Sequence, residues 1–313
     1  MSGRPLVSVV MGVYNGGATL TASVHSVLAQ SDVALELVVV DDGSTDGSAS
    51  LLDGLAAQDA RLRVIHQKNT GLTLALIRGC DEARGDFIAR QDCGDQSLPG
   101  RFAAGIALLD SSPTVVLTCC GARMLAPRGE HLFDVIRDGD ELQRGLREVT
   151  ADTYRGPTHH GATMFRREAY RRVGGYRSQW RVSQDVDLWL RLAEIGECVA
   201  YAMVGYEVQL DLHGISASRR TEQVHFSALA FSCAAARKAH RTDEQVIQTF
   251  EPELSTVQVT SRAKREASEL YFFGSCLRRS NPEAARFYLR QAVRRQPVSP
   301  KALWRLLTVS FSI

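Results

Sequence analysis

The chain has 313 residues, of which 44% are hydrophobic and 23% charged, and its formal net charge is +2. That length suits one large α/β domain with an appendage, or two small domains, and the composition is that of a globular protein. The charge is too small to make nucleic acid the main partner. The seven cysteines are odd in number and form no CxxC pair, which favours reduced thiols in a cytosolic setting over a disulfide framework or a zinc site. Met1 to Pro5 is polar and leads straight into an apolar run, so no signal peptide is read. No apolar stretch reaches the roughly 20 residues that span a bilayer. The catalytic part is therefore expected in the cytoplasm, or at the inner face of the cytoplasmic membrane.

Leu6 to Val10 reads as a β-strand, broken by Gly12, Asn15, Gly16 and Gly17, and Ala18 to Gln30 follows with helical spacing. Leu35 to Val40 is a second buried-type strand that ends in Asp41-Asp42-Gly43-Ser44. A helix over Ser48 to Ala57, a strand over Leu62 to His66 and a helix from the Asn69-Thr70-Gly71 turn through Glu82 come next. A fourth strand, Asp86 to Arg90, runs into Gln91-Asp92-Cys93-Gly94-Asp95. Strands alternating with helices imply a parallel sheet with right-handed crossovers. The polar clusters Tyr14-Asn15, Asp41-Asp42 and Asp92 to Asp95 all fall at strand ends, where open α/β sheets bind ligands.

The middle of the chain is mixed. It has a strand at Val115 to Cys119 and helical stretches at Glu141 to Val149, Arg166 to Val173 and Asp185 to Ile195. From Glu222 onward the sequence is rich in Ala and Arg, helix-prone and almost free of strand signal, and Asn281-Pro282-Glu283 reads as a helix start. The expected organisation is a catalytic α/β domain over 1–221 and a helical region over 222–313.

Asp41-Asp42 is either a turn-forming pair or a carboxylate that accepts hydrogen bonds from a nucleotide base or ribose. Asp92 and Asp95 are either a turn around Gly94 or oxygen ligands for Mg²⁺ or Mn²⁺, which commonly bind through one or two carboxylates plus substrate phosphates. Asp185 and Asp187 open a helix, where one can cap and the other act as general base. His159, His160 and His213 are candidates for metal or phosphate contact. The bland reading, a surface or hydrogen-bonded histidine, is favoured for His160 and less strongly for His213.

Taken in order, these pieces resemble the family 2 glycosyltransferases of the inverting GT-A type found in bacterial polysaccharide synthesis. The resemblance rests on Val7 to Met11 with Tyr14-Asn15, Val38 to Asp46, Asn69-Thr70-Gly71-Leu72, and Gly85 to Asp92 with Leu98-Pro99 and Arg101. It continues through Met164 to Arg167, Val173 to Tyr176, Asp185 to Arg191, and His213 with Ser216, and so spans about residues 5 to 218. It implies a GT-A, Rossmann-like sheet, mostly parallel and flanked by helices, with an all-α C-terminal appendage. It further implies transfer from a nucleoside-diphosphate sugar, UDP-linked by preference, to a hydroxyl of a glycan or lipid-linked acceptor. Asp185 would be the base. Tyr14, Asn15, Asp41, Asp42 and Asp92 would hold the donor, with Arg78 and Arg90 as phosphate contacts. Asp92 and Asp95, with His213 as an added candidate, would hold Mn²⁺ or Mg²⁺.

Four positions depart from the family pattern. Gly12 stands for Pro, Gln184 for Glu and Ile77 for Asn, and Gly94 replaces an Asp, so that either Asp95 is the metal ligand or metal use is weakened. A catalytically weak GT-A scaffold and a sugar nucleotidyltransferase are the alternatives. The arginines of the tail, Arg278 to Arg295, and the mixed basic and apolar stretch Lys301 to Ile313 suit either a solvated bundle face or peripheral contact with anionic lipid.

Overall fold

A computed structural model describes residues 6–150, 153–212, 219–250, 261–297 and 300–310. The four expected βα repeats are present. They are β1 (Val7–Val13) with α1 (Leu20–Leu28), β2 (Leu35–Asp41) with α2 (Ser48–Ala56), β3 (Leu62–His66) with α3 (Leu72–Glu82), and β4 (Phe87–Arg90). Strands β1, β2 and β4 are buried along almost their whole length, as expected of parallel strands covered on both faces.

The next elements are β5 (Gln96–Ser97), α4 (Arg101–Ser111), β6 (Val115–Leu125), β7 (His131–Val135), α5 (Gly139–Arg147) and β8 (Thr163–Arg166). They are followed by α6 (Arg167–Arg172), α7 (Gln184–Ile195) and β9 (Glu197–Gln209). The sheet runs β3-β2-β1-β4-β8-β6-β9-β5, and β7 pairs with β6. The block β3-β2-β1-β4 is parallel, whereas β8 joins β4 and β6 antiparallel and β5 joins β9 antiparallel. Strands β8 and β9 and helix α4 were not expected from the sequence.

Side-chain alternation along the strands sends two sets of apolar groups to opposite faces. Val9, Met11, Leu37 and Val39 pack with Leu20, Val24 and Val27 of α1, Leu52 of α2 and Phe102 of α4. Val10, Ile88, Leu117 and Phe165 pack with Leu76 of α3 and Leu188, Trp189 and Leu192 of α7. Truncating a fully buried member such as Leu37 or Leu188 to Ala removes about 2–5 kcal/mol of stability.

The chain falls into two compact units. One comprises Met1–Ala122, Val135–Val208 and Val224–Glu251, the other Arg123–Asp134, Gln209–Gln223 and Pro252–Ile313. Most of α8 (Arg220–Lys238), and α9 (Asp243–Thr249), therefore belong to the unit that holds the sheet. Leu229 and Cys233 of α8 pack around Trp180 with Val246 and Ile247 of α9.

The second unit contains α10 (Arg262–Leu277), α11 (Pro282–Arg295) and α12 (Pro300–Ser310), with α11 packed against both others. Asn281 caps α11 by accepting from the Ala284 N–H at 3.1 Å, as its Asn-Pro-Glu start implies. Leu270, Phe273, Tyr288 and Leu289 form its core with Ala126 and Leu132. No helix among the described residues is long and apolar enough to cross a membrane.

Candidate active site

The parallel register aligns Val13 with Asp41 and Asp41 with His66, so the carboxyl ends of β1, β2 and β3 lie side by side. The loop after β1 is tied to the loop after β2. The Asn15 N–H donates to Ser44 Oγ at 2.9 Å, the Gly16 N–H to Ser48 Oγ at 3.0 Å, and the Thr45 N–H to Asn15 Oδ1 at 2.8 Å. Asn15 takes a left-handed backbone, φ 53°, a strained conformation that clusters at functional sites. Its side chain serves the loop, while neighbouring Tyr14 stands 54% exposed beside it.

Asp41 and Asp42 are both buried, and each is already engaged. Asp41 Oδ1 accepts from the Ser44 N–H at 3.1 Å, and its Oδ2 lies 2.9 Å from His66 Nδ1. The other ring nitrogen of His66 lies 2.9 Å from Asp53 Oδ1. A carboxylate oxygen faces each nitrogen, and Asp41 and then Asp53 raise the pKa of the ring by favouring its protonated form. Asp42 Oδ1 accepts from Gln67 Nε2 (2.7 Å), the Thr70 N–H (2.9 Å) and Thr70 Oγ1 (3.1 Å), and Oδ2 from the Gly71 N–H (2.8 Å). A carboxylate offers about four acceptor sites, shared between its two oxygens. Asp42 is thus first a staple for the loop after β3, with acceptor capacity left on Oδ2.

The loop after β4 brings Asp92 and Asp95 together with His159. Their ligating atoms lie within 4.8 Å of one another, and His159 Nδ1 is 3.8 Å from Oδ2 of each aspartate. Several contacts hold the loop in shape. Gln91 Nε2 donates to the carbonyls of Asp92 and Asp95, the Gly94 N–H donates to Ser23 Oγ, and the Asp92 N–H donates to the Tyr206 hydroxyl oxygen at 2.9 Å. Gly94 has φ +102°, which L side chains rarely adopt. A carboxylate-bearing side chain at this position is strained on the backbone seen here.

Arg90, expected from the sequence as a phosphate contact, is fully buried. It donates to the Val10 carbonyl, to His160 Nε2 at 3.3 Å and to Asp92 Oδ1 at 2.8 Å, and so positions Asp92 from beneath. Burial pushes Asp92 towards the neutral form, but the charge of Arg90 outweighs it and holds the carboxyl below its usual range. His160 Nε2 receives from Arg90 and lies 2.7 Å from the Tyr176 hydroxyl. Burial, with Arg90 adding to it, drives this ring's pKa down to about 3, so it is a neutral acceptor. His159 is also lowered, by burial first, and its Nδ1 accepts from the Gly161 N–H at 3.2 Å. Nδ1 is therefore the unprotonated nitrogen, and a cation between it and the aspartates would take its lone pair in place of the Gly161 N–H.

Arg101, 1% exposed, ties these pieces together. It donates to Ser97 Oγ at 2.6 Å, to the Arg90 carbonyl at 2.7 Å and to the Gly161 carbonyl, and it lies 4.7 Å over the Tyr206 ring. The Tyr206 ring stacks on His159 with centroids 5.7 Å apart. A Cβ at Gly161 would come within 2.1 Å of the Tyr206 hydroxyl, so only glycine fits there. Tyr206 comes from antiparallel β9, and nothing in the sequence pattern marked it.

At the start of α7 the two aspartates separate in role. Asp187, 1% exposed, pairs with Arg191 through contacts of 3.1 and 2.5 Å, which makes it structural. Asp185 is partly exposed and accepts from the Val186 N–H at 2.9 Å. Burial, with the charge of Asp92 adding to it, raises its pKa from 3.8 to about 6. Ser183, just before α7, has φ +54°, a second strained position beside a candidate residue. Arg78, the other expected phosphate contact, is exposed on α3. It pairs with Glu82 at 3.0 Å, one turn along α3. His213 lies outside the described residues.

The family model for glycosyl transferase family 2 matches residues 8–174, more than half of the chain. The chain belongs to glycosyl transferase family 2. As a family 2 member it is a glycosyltransferase, which sets aside the nucleotidyltransferase alternative. The putative glycosyltransferase EpsE of Bacillus subtilis (strain 168) is 33% identical over 222 residues, 69% of this chain and 74% of that protein.

Two solved structures share the GT-A fold. The mannosyltransferase PcManGT from Pyrobaculum calidifontis, in complex with GDP-Man and Mn²⁺, has a TM-score of 0.58 at 19% identity, covering 99% of this chain and 81% of that one. S. aureus TarS in complex with UDP-GlcNAc has a TM-score of 0.56 at 14% identity, covering 97% and 90%. At such identities the likeness is one of fold.

Proposed function

We propose that this family 2 enzyme is an inverting transferase. In this reading it moves a sugar from a nucleoside-diphosphate donor, UDP-linked by preference, to a hydroxyl of a glycan or lipid-linked acceptor in cell-surface polysaccharide synthesis. The observation that carries the reading is the divergence of two carboxylates that share one electrostatic neighbourhood. Asp185 is pushed up to about 6, while Asp92 is held below its usual range. Such divergence separates a proton acceptor from a group that stays ionised. Asp185 takes the proton of the acceptor hydroxyl, whose oxygen attacks the anomeric carbon. The bond from that carbon to the diphosphate oxygen breaks on the opposite face, and the nucleoside diphosphate leaves with the electron pair. Tyr14 packs against the base, and the remaining acceptor capacity of Asp42 Oδ2 receives a base N–H.

Asp92, Asp95 and His159 suit a divalent cation. Ligands about 2.1 Å from an ion lie roughly 3.0 Å apart when adjacent and 4.2 Å when opposed, and the 3.8 Å separations here fall between those values. A neutral imidazole beside two carboxylates favours Mn²⁺ over Mg²⁺. Such an ion, when bound, offsets the charge that builds on the departing diphosphate. We place the reaction at the cytoplasmic side of the cell, with peripheral contact between the helical region and an anionic bilayer. The run of arginines from Arg278 to Arg295 supports that contact.

The test is a screen of nucleotide sugars for nucleoside diphosphate release and for anomeric configuration of the product. The screen is run with Mn²⁺, with chelator, and with Asp185→Asn. Product of inverted configuration, lost in the variant, is the expected result. Retained configuration, or turnover unchanged in Asp185→Asn, removes the base assignment.

A further inference from the structure

We propose that the helical unit carries a binding groove for a phosphate-bearing anion, formed by Arg128, Arg286, Arg290 and Arg294. Helix α11 buries Ala285, Tyr288, Leu289 and Ala292 in the core of its unit. Its other face presents Glu283, Arg286, Phe287, Arg290, Gln291 and Arg294, which with Arg128 from the turn between β6 and β7 line an open groove of about 440 Å³. Four arginines and a single acidic residue, Glu283, are among the lining residues. Arg290 and Arg294 have no hydrogen-bond or ion-pair partner among the described residues.

Arginines at i, i+4 and i+8 repel one another along a helix, so their alignment on one wall is mildly costly without an anion to neutralise it. Arg128 is held over the wall by its own contacts. Its guanidinium carbon lies 4.6 Å from the centroid of the Phe287 ring, and its backbone N–H donates to the Tyr288 hydroxyl oxygen at 3.2 Å. Glu130 lies 3.8 Å from its Nε but is mainly committed to the Tyr288 hydroxyl at 2.8 Å. A guanidinium stacked on an aromatic face is already oriented, which lowers the ordering cost of bidentate bonds to phosphate oxygens. The shared chemistry of the occupant is a phosphate or diphosphate oxyanion, either on a lipid headgroup or on a soluble molecule. The groove is argued apart from the donor site and from membrane contact as such.

The test uses the full chain, in chelator, titrated with inorganic pyrophosphate by calorimetry. The same chain is sedimented with phosphatidylcholine vesicles, with and without phosphatidylglycerol. Arg290→Gln/Arg294→Gln is expected to weaken pyrophosphate binding roughly tenfold to a hundredfold, the scale of losing charge-assisted bonds. Arg278→Gln/Arg279→Gln, an equal loss of charge from the turn after α10, is expected to leave it unchanged. Anionic vesicles captured by the wild type, released by pyrophosphate and missed by the first variant identify a lipid headgroup. Pyrophosphate binding without vesicle capture identifies a soluble phosphate. Equal binding by the wild type and the Arg290/Arg294 variant overturns the groove, as does no binding by either or an equal loss in both variants. Vesicle capture that survives the Arg290/Arg294 change excludes a lipid headgroup as the occupant of the groove and leaves the membrane contact standing.

Discussion

Asp185 makes opposite predictions for activity and stability. Its carboxyl sits at about 6 in the folded chain against 3.8 when solvated. A gap of about two pH units is worth about 3 kcal/mol. The folded state favours the protonated form, so below pH 3.8 both states carry the proton and Asp185 costs nothing. Above pH 6 the ionised carboxylate destabilises the fold by the full amount. Asp185→Asn keeps the shape and an acceptor for the Val186 N–H but removes the charge. By linkage it should stabilise the protein by about 1.6 kcal/mol at pH 5 and about 3 kcal/mol at pH 8. Because Asp185 keeps some solvent contact, these are upper values. Urea denaturation of the wild type and the variant at both pH values measures the difference. Turnover of the variant should fall by roughly 10²–10⁴, the usual scale of general-base removal, while wild-type kcat/KM should rise with pH through about 6. A gain in stability that is equal at pH 5 and pH 8, or a loss at pH 8, would refute the argument that burial sets this group.

The other predictions concern the loops. His159→Ala should weaken Mn²⁺ binding by roughly tenfold to a hundredfold, read by electron paramagnetic resonance of the free ion, and unchanged affinity would remove His159 from the ligand set. Gly94→Asp restores the family carboxylate at φ +102°. It should cost about 1–3 kcal/mol in backbone strain and give no tighter Mn²⁺ binding, which a thermal melt and the same titration check together. Asp42→Asn replaces one acceptor oxygen with an amide N–H₂, a donor, set against the N–H groups of the loop after β3. It should destabilise the fold by about 2–4 kcal/mol and speed hydrogen exchange at Gly71, and a variant with wild-type exchange there would show that the staple is dispensable.

The parallel half of the fold was legible because each strand is a short apolar run closed by turn residues. Leu62 to His66 was read with its observed ends, and Leu35 to Val40 missed its end by one residue. The antiparallel half was not. Thr163–Arg166 is only four residues long, and Glu197–Gln209 mixes buried and exposed positions without clean alternation. At the site, Asp92, Asp95 and Asp185 could be named because each follows a strand or opens a helix. The burial of Arg90 was not legible, because a charged residue at a strand end looks solvent-facing, whereas β4 is covered on both sides. Arg78 lies on the partnered outer turn of α3, a rotation that the motif alone does not define. Tyr206 reaches the Asp92 loop only through long-range strand pairing.

The contacts of Arg101 bear on how this centre can be altered. One guanidinium spans the segment that supplies the carboxylates and the turn that supplies the imidazole. Attempts to retune the cation should therefore tolerate exchange of His159, an end group, far better than exchange of Arg101. Losing that keystone would let the two sources of ligands drift apart even with every ligand still in place.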